Sequence, residues 1–228
     1  MLNIRSSFLK RQRQTGIARL LTRLIRDRGA VTVIELAVSL PFLMVMILGT
    51  LEMVNLGILH DRLNQLAISV ADNASRAKQS VVGGAPVFRE FDVNQVFTGA
   101  SLSVRDLDFP TNGRVILSSL ETNSQGGQWI HWQRCWGNTS YASRYGVEGT
   151  GESGTSFAGM GQSGHVMTVE YPNAIMFVEV VYQYRPMFFG SLFTPQLLHK
   201  DAAMYVRDDR NLNAGVKNPS PMVAEEDC

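Results

Sequence analysis

From Leu36 to Leu51 the chain carries no charged residue, and between Ala30 and Leu59 only Glu35, Glu52 and Asn55 are strongly polar. No other feature limits the fold as much. A helix that crosses a bilayer needs ~20 predominantly apolar residues for a core ~30 Å thick. The run meets that length. Pro41 lies inside it; it removes one backbone hydrogen bond and kinks a helix, a defect that spanning helices tolerate better than soluble ones. A cleaved secretory signal fits poorly. Its apolar part is about 7–15 residues long and ends at a small-x-small site, whereas this run continues into Gly57-Ile58-Leu59-His60-Asp61-Arg62.

Charge gives the run a direction. The formal net charge of +1 conceals an asymmetry. Of the 21 Lys and Arg residues, eight lie in the first 28 positions, with one of the 20 acids, Asp27; the remaining 200 residues carry 13 basic and 19 acidic side chains, a net −6. Basic residues before the apolar run and few soon after it place the N-terminus in the cytoplasm and the body outside. Binding of nucleic acid is not expected, because the basic head runs straight into the apolar segment and the body offers no basic face.

Glu35 is what a plain anchor does not explain. A charged side chain costs ~2.5–3.5 kcal/mol at the centre of a spanning helix, less near an end, so it is expected to have a partner. A cut just before Ala30 or Val31 would create an ammonium within two turns of Glu35, which could pair with that carboxylate on a neighbouring subunit. The simpler alternative is that Glu35 snorkels toward the headgroups.

Basic residues, then Gly29-Ala30-Val31-Thr32-Val33-Ile34-Glu35-Leu36, then Pro41, Gly49 and Glu52, resemble a prepilin-type signal. The run is similar to TadE-like pilus assembly proteins, the pseudopilins or minor pilins of the tight-adherence (Flp) pilus system. Trp132-Gln133-Arg134-Cys135, Ser143 to Gly151, Ala174 to Val180 and Arg207-Asp208-Asp209-Arg210 also resemble segments of such proteins, so the likeness runs from about Arg26 through most of the chain. It implies a bacterial inner-membrane subunit, processed by a prepilin peptidase at Gly29, Ala30 or Val31. Its implied partners are other pilin-like subunits, including a related pseudopilin as a heterodimer partner, and the pilus assembly machinery. In one respect the sequence departs from the pattern. The glutamate is usually fifth after the cut; cleavage after Gly29 makes Glu35 sixth, and cleavage after Ala30 makes it fifth.

Beyond Leu59 the apolar residues become one-sided: Leu59, Leu63, Leu66, Val70, Ala74 and Ala77 follow three- and four-residue steps, with charges between them. That is an amphipathic helix. No breaker but Gly57 separates it from the apolar run, so one helix is expected from Ala30 to Val82, ended by Gly83-Gly84 and Pro86 and ~80 Å long. Strands are expected at Val115–Leu120, Gln128–Arg134, Ala174–Tyr184 and Ala202–Val206. The fold class is therefore α+β and pilin-like: a long N-terminal helix whose outer half packs on a small antiparallel sheet. The expected organisation is a basic cytoplasmic leader (1–29), a transmembrane helix (30–58), its periplasmic amphipathic continuation (59–84) and an exported β-rich domain (85–228). Residues 187–198 are expected to be core rather than a contact patch. Residues 146–164, with seven glycines, are expected to be a mobile surface loop.

Two cysteines, Cys135 and Cys228, can form one disulfide in an exported domain; two free thiols are the expectation for a cytosolic one. No Cys-x-x-Cys or spaced His pair suggests a metal site. Gly149-Thr-Gly151-Glu-Ser-Gly154 matches G-x-G-x-x-G but lacks the following helix that a dinucleotide site needs. There is no Walker motif and no Gly-x-Ser-x-Gly elbow. His60, His131, His165 and His199 are far apart and are expected to be surface or satisfied core residues. Asp106 with Asp108, and Asp208 with Asp209, are expected on solvated faces. No catalytic residue, cofactor or metal is expected. The opposing reading is an exported binding domain or enzyme for which the helix is only a tether.

Overall fold

The computed structural model describes residues 22, 28–77, 86–188, 190 and 194–228. The chain divides between Val54 and Asn55 into two compact units. Helix α1 (Arg28–Arg76) contributes to both and contains Pro41. In the first unit every large apolar side chain from Val31 to Ile47 is exposed. The backbone of this stretch is satisfied internally, and the Ser39 and Thr50 hydroxyls donate back to the carbonyls of Leu36 and Met46. A helix that keeps its polar groups to itself is one of the two forms of chain that can cross a bilayer.

The second unit is built on a four-stranded antiparallel sheet, with strands β2 (Gly113–Thr122), β3 (Gln128–Trp136), β4 (Ile175–Tyr184) and β5 (Gln196–Tyr205) in the order β3-β2-β4-β5. Strand β1 (Phe88–Arg89) pairs in parallel with β6 (Val216–Lys217). Helix α2 (Glu90–Ser103) follows β1, and α3 (Phe109–Asn112) leads into β2.

The pleat sends alternate residues to opposite faces, and each face has its own core. On one face Val115, Leu117, Met176, Val178 and Val180 meet the α1 stripe of Leu59, Leu63, Leu66, Val70 and Ala74, with Val93, Phe97 and Phe109 closing the layer. Phe109 stacks on Trp136 and Tyr182, at 5.1 and 5.8 Å between ring centroids. On the other face Leu120, Ile130, Ile175 and Phe177 meet Met160 and Val169. The register of β3 against β2 shifts between Ser119 and Leu120, which pair with Trp132 and Ile130. The extra residue, His131, turns Trp132 to the α1 core and Ile130 to the opposite core, as a bulge does.

The α+β class, the apolar helix and the antiparallel sheet agree with the sequence reading, but four particulars differ. Helix α1 ends at Arg76, Ala77 has left it, and residues 78–82 of the expected helix lie outside the described residues. Its last carbonyls are taken by another segment: Arg207 N–H donates to Ser75 O, and Arg210 Nη1 donates to Ala74 O and Ala77 O. Strand β5 begins at Gln196, six residues before the expected start. Of the described part of 187–198, Leu198 is buried whereas Met187, Phe188 and Leu197 are exposed. The alternation of β5 sends only Leu198 inward, so the described part of this connection is mostly exposed rather than core.

Nor is the glycine-rich stretch 146–164 a free loop. Ile130 N–H donates to Thr150 O, Gly149 N–H donates to Ile130 O, and Met160 pairs with Met167. Met160 is fully buried. Gly151 has φ +80°, and a Cβ there would lie 2.3 Å from Gln128 O. Glycine at 151 thus allows the stretch to approach the β3 backbone closely.

Candidate functional site

The sequence singles out two sets of residues, one in each unit. In the first unit, Gly29, Ala30 and Val31 are helical residues of α1, and Glu35 follows about a turn later as an exposed side chain among exposed apolar neighbours. The leader, 1–29, lies outside the described residues except for positions 22, 28 and 29. A Cβ added at Gly49 would meet nothing within 4 Å, so nothing described in the chain requires a glycine there. Among the described residues α1 is the one helix long and apolar enough to cross a membrane.

In the second unit Cys135 and Cys228 are joined as a disulfide, with their Cα atoms 4.9 Å apart and the two residues 93 positions apart in sequence. Disulfides persist in oxidising compartments. This bridge straps residues 226–228 along the outer edge of β3: Cys135 N–H donates to Glu226 O, and Arg134 bridges to Asp227. A tail laid over a strand edge removes a template for unwanted pairing.

Beside the disulfide, Arg134 is buried. Its Nε and Nη2 donate to Glu90 Oε1 at 2.9 and 2.6 Å, and its Nη1 donates to Gln133 O and to Glu148 Oε2. Asp227 Oδ1 lies 3.3 Å from Nη1. Burial disfavours the cation, but the Glu90 hydrogen bonds and the charges of Glu90, Asp227 and Glu148 outweigh it and hold Arg134 above its ordinary pKa. One guanidinium thus ties together α2, β3, the glycine-rich stretch and the C-terminal strap.

The Arg207–Arg210 block does similar work at the end of α1. Arg210 lies over the Phe88 ring, 4.5 Å from its centroid, while its Nη1 caps the helix. Burial lowers its pKa, with Asp208, Glu121 and Asp92 opposing the shift. The side chain of Asp208 is buried as well, so the expectation of a solvated Asp208 fails: the segment turns inward to end the helix. Asp106 is exposed, as expected, and pairs with Arg62.

Sequence spacing hid one further cluster. Glu179, His199 and Asp201 meet across the β4–β5 pair, with one ligand atom of each within 4.8 Å of the others. The visible signal was a glutamate in the middle of the apolar strand Phe177-Val178-Glu179-Val180-Val181. His131 is paired separately, with Glu121 at 2.8 Å.

No protein-family model, curated protein or solved structure matches this chain.

The two units offer different chemistry. The first presents an apolar helical surface with one carboxylate near its start, which suits packing within a membrane. The second presents a disulfide-closed domain in which the buried charges Arg134 and Arg210 act as ties.

Proposed function

We propose that the chain is a TadE-like pseudopilin or minor-pilin subunit. On this reading it is inserted in the bacterial inner membrane with its N-terminus in the cytoplasm and its domain in the periplasm. A prepilin peptidase trims it beside Ala30, and it serves the assembly of a tight-adherence (Flp-type) adhesive pilus. The observation that supports this most is the stretch Val31–Val54: an exposed apolar helix that carries Glu35 as the fifth or sixth residue after the candidate cut.

The mechanism is packing rather than catalysis. Lipid tails are as apolar as leucine, so helix association in the membrane depends on close packing and polar pairing. The new ammonium at Ala30 or Val31 pairs with Glu35 of a neighbouring subunit, which offsets the cost of holding either charge in the bilayer and fixes the register of the two helices. The domain makes the remaining contacts with pilin-like subunits and the assembly machinery. Its disulfide fits an oxidising periplasm.

The test is the N-terminal residue of the membrane-extracted protein, read by mass spectrometry in hosts with and without the prepilin peptidase. The expected result is a start at Ala30 or Val31 that depends on the peptidase. An intact leader in both hosts would overturn the proposal and leave a tethered exported domain.

A further inference from the structure

Strand β4 carries Glu179, fully buried, in the middle of its apolar run, and β5 places His199 and Asp201 beside it on the same face. This face lies opposite the Leu59–Ala74 core. His199 Nε2 is 3.3 Å from Glu179 Oε1 and 3.1 Å from Asp201 Oδ1. Three potential ligand atoms therefore converge, while an imidazole nitrogen has at most one proton to share between two carboxylates.

The far oxygens of both carboxylates are already held. The Ser143 hydroxyl donates to Glu179 Oε2, and the Tyr145 hydroxyl donates to Asp201 Oδ2 at 2.7 Å. Arg144 N–H donates to Glu179 Oε1 at 3.1 Å. Among the described residues Asp201 Oδ1 is buried and takes part in no hydrogen bond; His199 Nε2 is close to it without hydrogen-bond alignment. The cluster has the form of a ligand set: inner oxygens turned to a common point and outer oxygens fixed by hydroxyls, as carboxylate ligands are fixed in metal sites.

We propose that Glu179, His199 and Asp201 bind a divalent transition-metal ion of the zinc type through Glu179 Oε1, His199 Nε2 and Asp201 Oδ1. Bonds of ~2.0–2.1 Å in a tetrahedral zinc site put neighbouring ligand atoms ~3.3 Å apart, close to the 3.1 and 3.3 Å seen here. Calcium fits poorly, since it takes 6–8 oxygen ligands, and an imidazole favours zinc, copper, iron or nickel. Two carboxylates and a neutral imidazole balance the charge of a divalent ion. Asp201 also lines a surface cavity of about 230 Å³, together with Gly161, Gln162, His165, Met167 and Phe177. This inference concerns the exported domain alone and does not depend on the proposed processing of the leader.

The test uses the full chain in detergent with its disulfide intact, stripped by a chelator and titrated with Zn²⁺ alone by calorimetry. Co²⁺ absorption then reports coordination geometry. One equivalent should bind, with a tetrahedral Co²⁺ spectrum and a raised thermal midpoint. His199→Ala and Asp201→Asn should lose that equivalent. If either variant fails to fold, Tyr145→Phe carries the test: it keeps the ring packed edge-on against Phe177 and should weaken Zn²⁺ binding about 10- to 100-fold. Absence of stoichiometric binding would overturn the site. So would binding that persists in His199→Ala and Asp201→Asn, or an affinity unaltered in Tyr145→Phe where those two variants do not fold.

Discussion

Between Val31 and Val54 helix α1 exposes Val33, Phe42 and Met46 at 65, 71 and 69%, whereas between Leu59 and Ala74 it buries Leu63, Leu66 and Val70 to 1% or less. The backbone conformation is the same throughout; the pattern of side chains differs. The first stretch is apolar all round, so no single face is favoured for burial, as in membrane helices. The second has one apolar stripe, and a sheet face covers it. One element thus contains two folding problems. The chain itself solves the second; the first requires an apolar medium or other helices.

The sharpest way to break this contrast is to truncate one side chain from each stretch. Leu63→Ala should destabilise the domain by about 2–5 kcal/mol, the usual cost of a cavity in a packed core. Phe42→Ala should leave the domain's unfolding midpoint where it was. All three tryptophans, Trp129, Trp132 and Trp136, lie on β3, so tryptophan fluorescence during denaturation of the detergent-solubilised chain reports this domain alone. An equal loss in both variants would mean that the first stretch also supports the domain fold, and the contrast would fail.

A smaller effect is expected at the end of the buried stretch. Arg210→Met keeps an apolar chain against Phe88 but removes the donor to Ala74 O and Ala77 O and the cation facing Asp208. Groups left unpaired in this way cost about 1–3 kcal/mol, more where a charge is involved. The same fluorescence midpoint should fall, and hydrogen exchange should quicken in the last turn of α1 before it does elsewhere. Unchanged exchange there would show that Arg210 does not hold the helix end.

How much of this was legible follows from where the information lies. The apolar run and the stripe from Leu59 to Ala74 were readable because helix periodicity is local. Strands β2, β3 and β4 were readable for the same reason. Helix α2 was not legible, although Val93, Val96, Phe97 and Ala100 have helical spacing and are buried, because so short an apolar stripe does not by itself distinguish a helix from a loop. The start of β5 was missed because His199, Lys200 and Asp201 interrupt its apolar residues, and only the pairing with Tyr184–Glu179 makes that stretch a strand. The Arg210 cap and the Glu179–His199–Asp201 cluster join residues 136 and 20 or more positions apart. No local pattern encodes such contacts. The only hints were charged residues standing where the apolar pattern predicted none.

The smallest expected effect on the domain is at Glu35, and there its absence carries the meaning. Glu35 is exposed in the first unit, so Glu35→Leu should leave the tryptophan-reported midpoint of the domain unchanged. The variant should also enter the membrane at least as well as the parent, since a leucine replaces a carboxylate that costs ~2.5–3.5 kcal/mol at a helix centre and less near an end. A tether would gain from the change or be indifferent to it. A subunit that uses the carboxylate to meet a neighbour's ammonium would insert normally, be processed and then fail to assemble. Counting surface pili and crosslinked subunits in cells that carry Glu35→Leu separates the two. Normal assembly would reduce the first stretch of α1 to an anchor; loss of assembly with an intact domain would show that the exposed stretch is completed by other subunits.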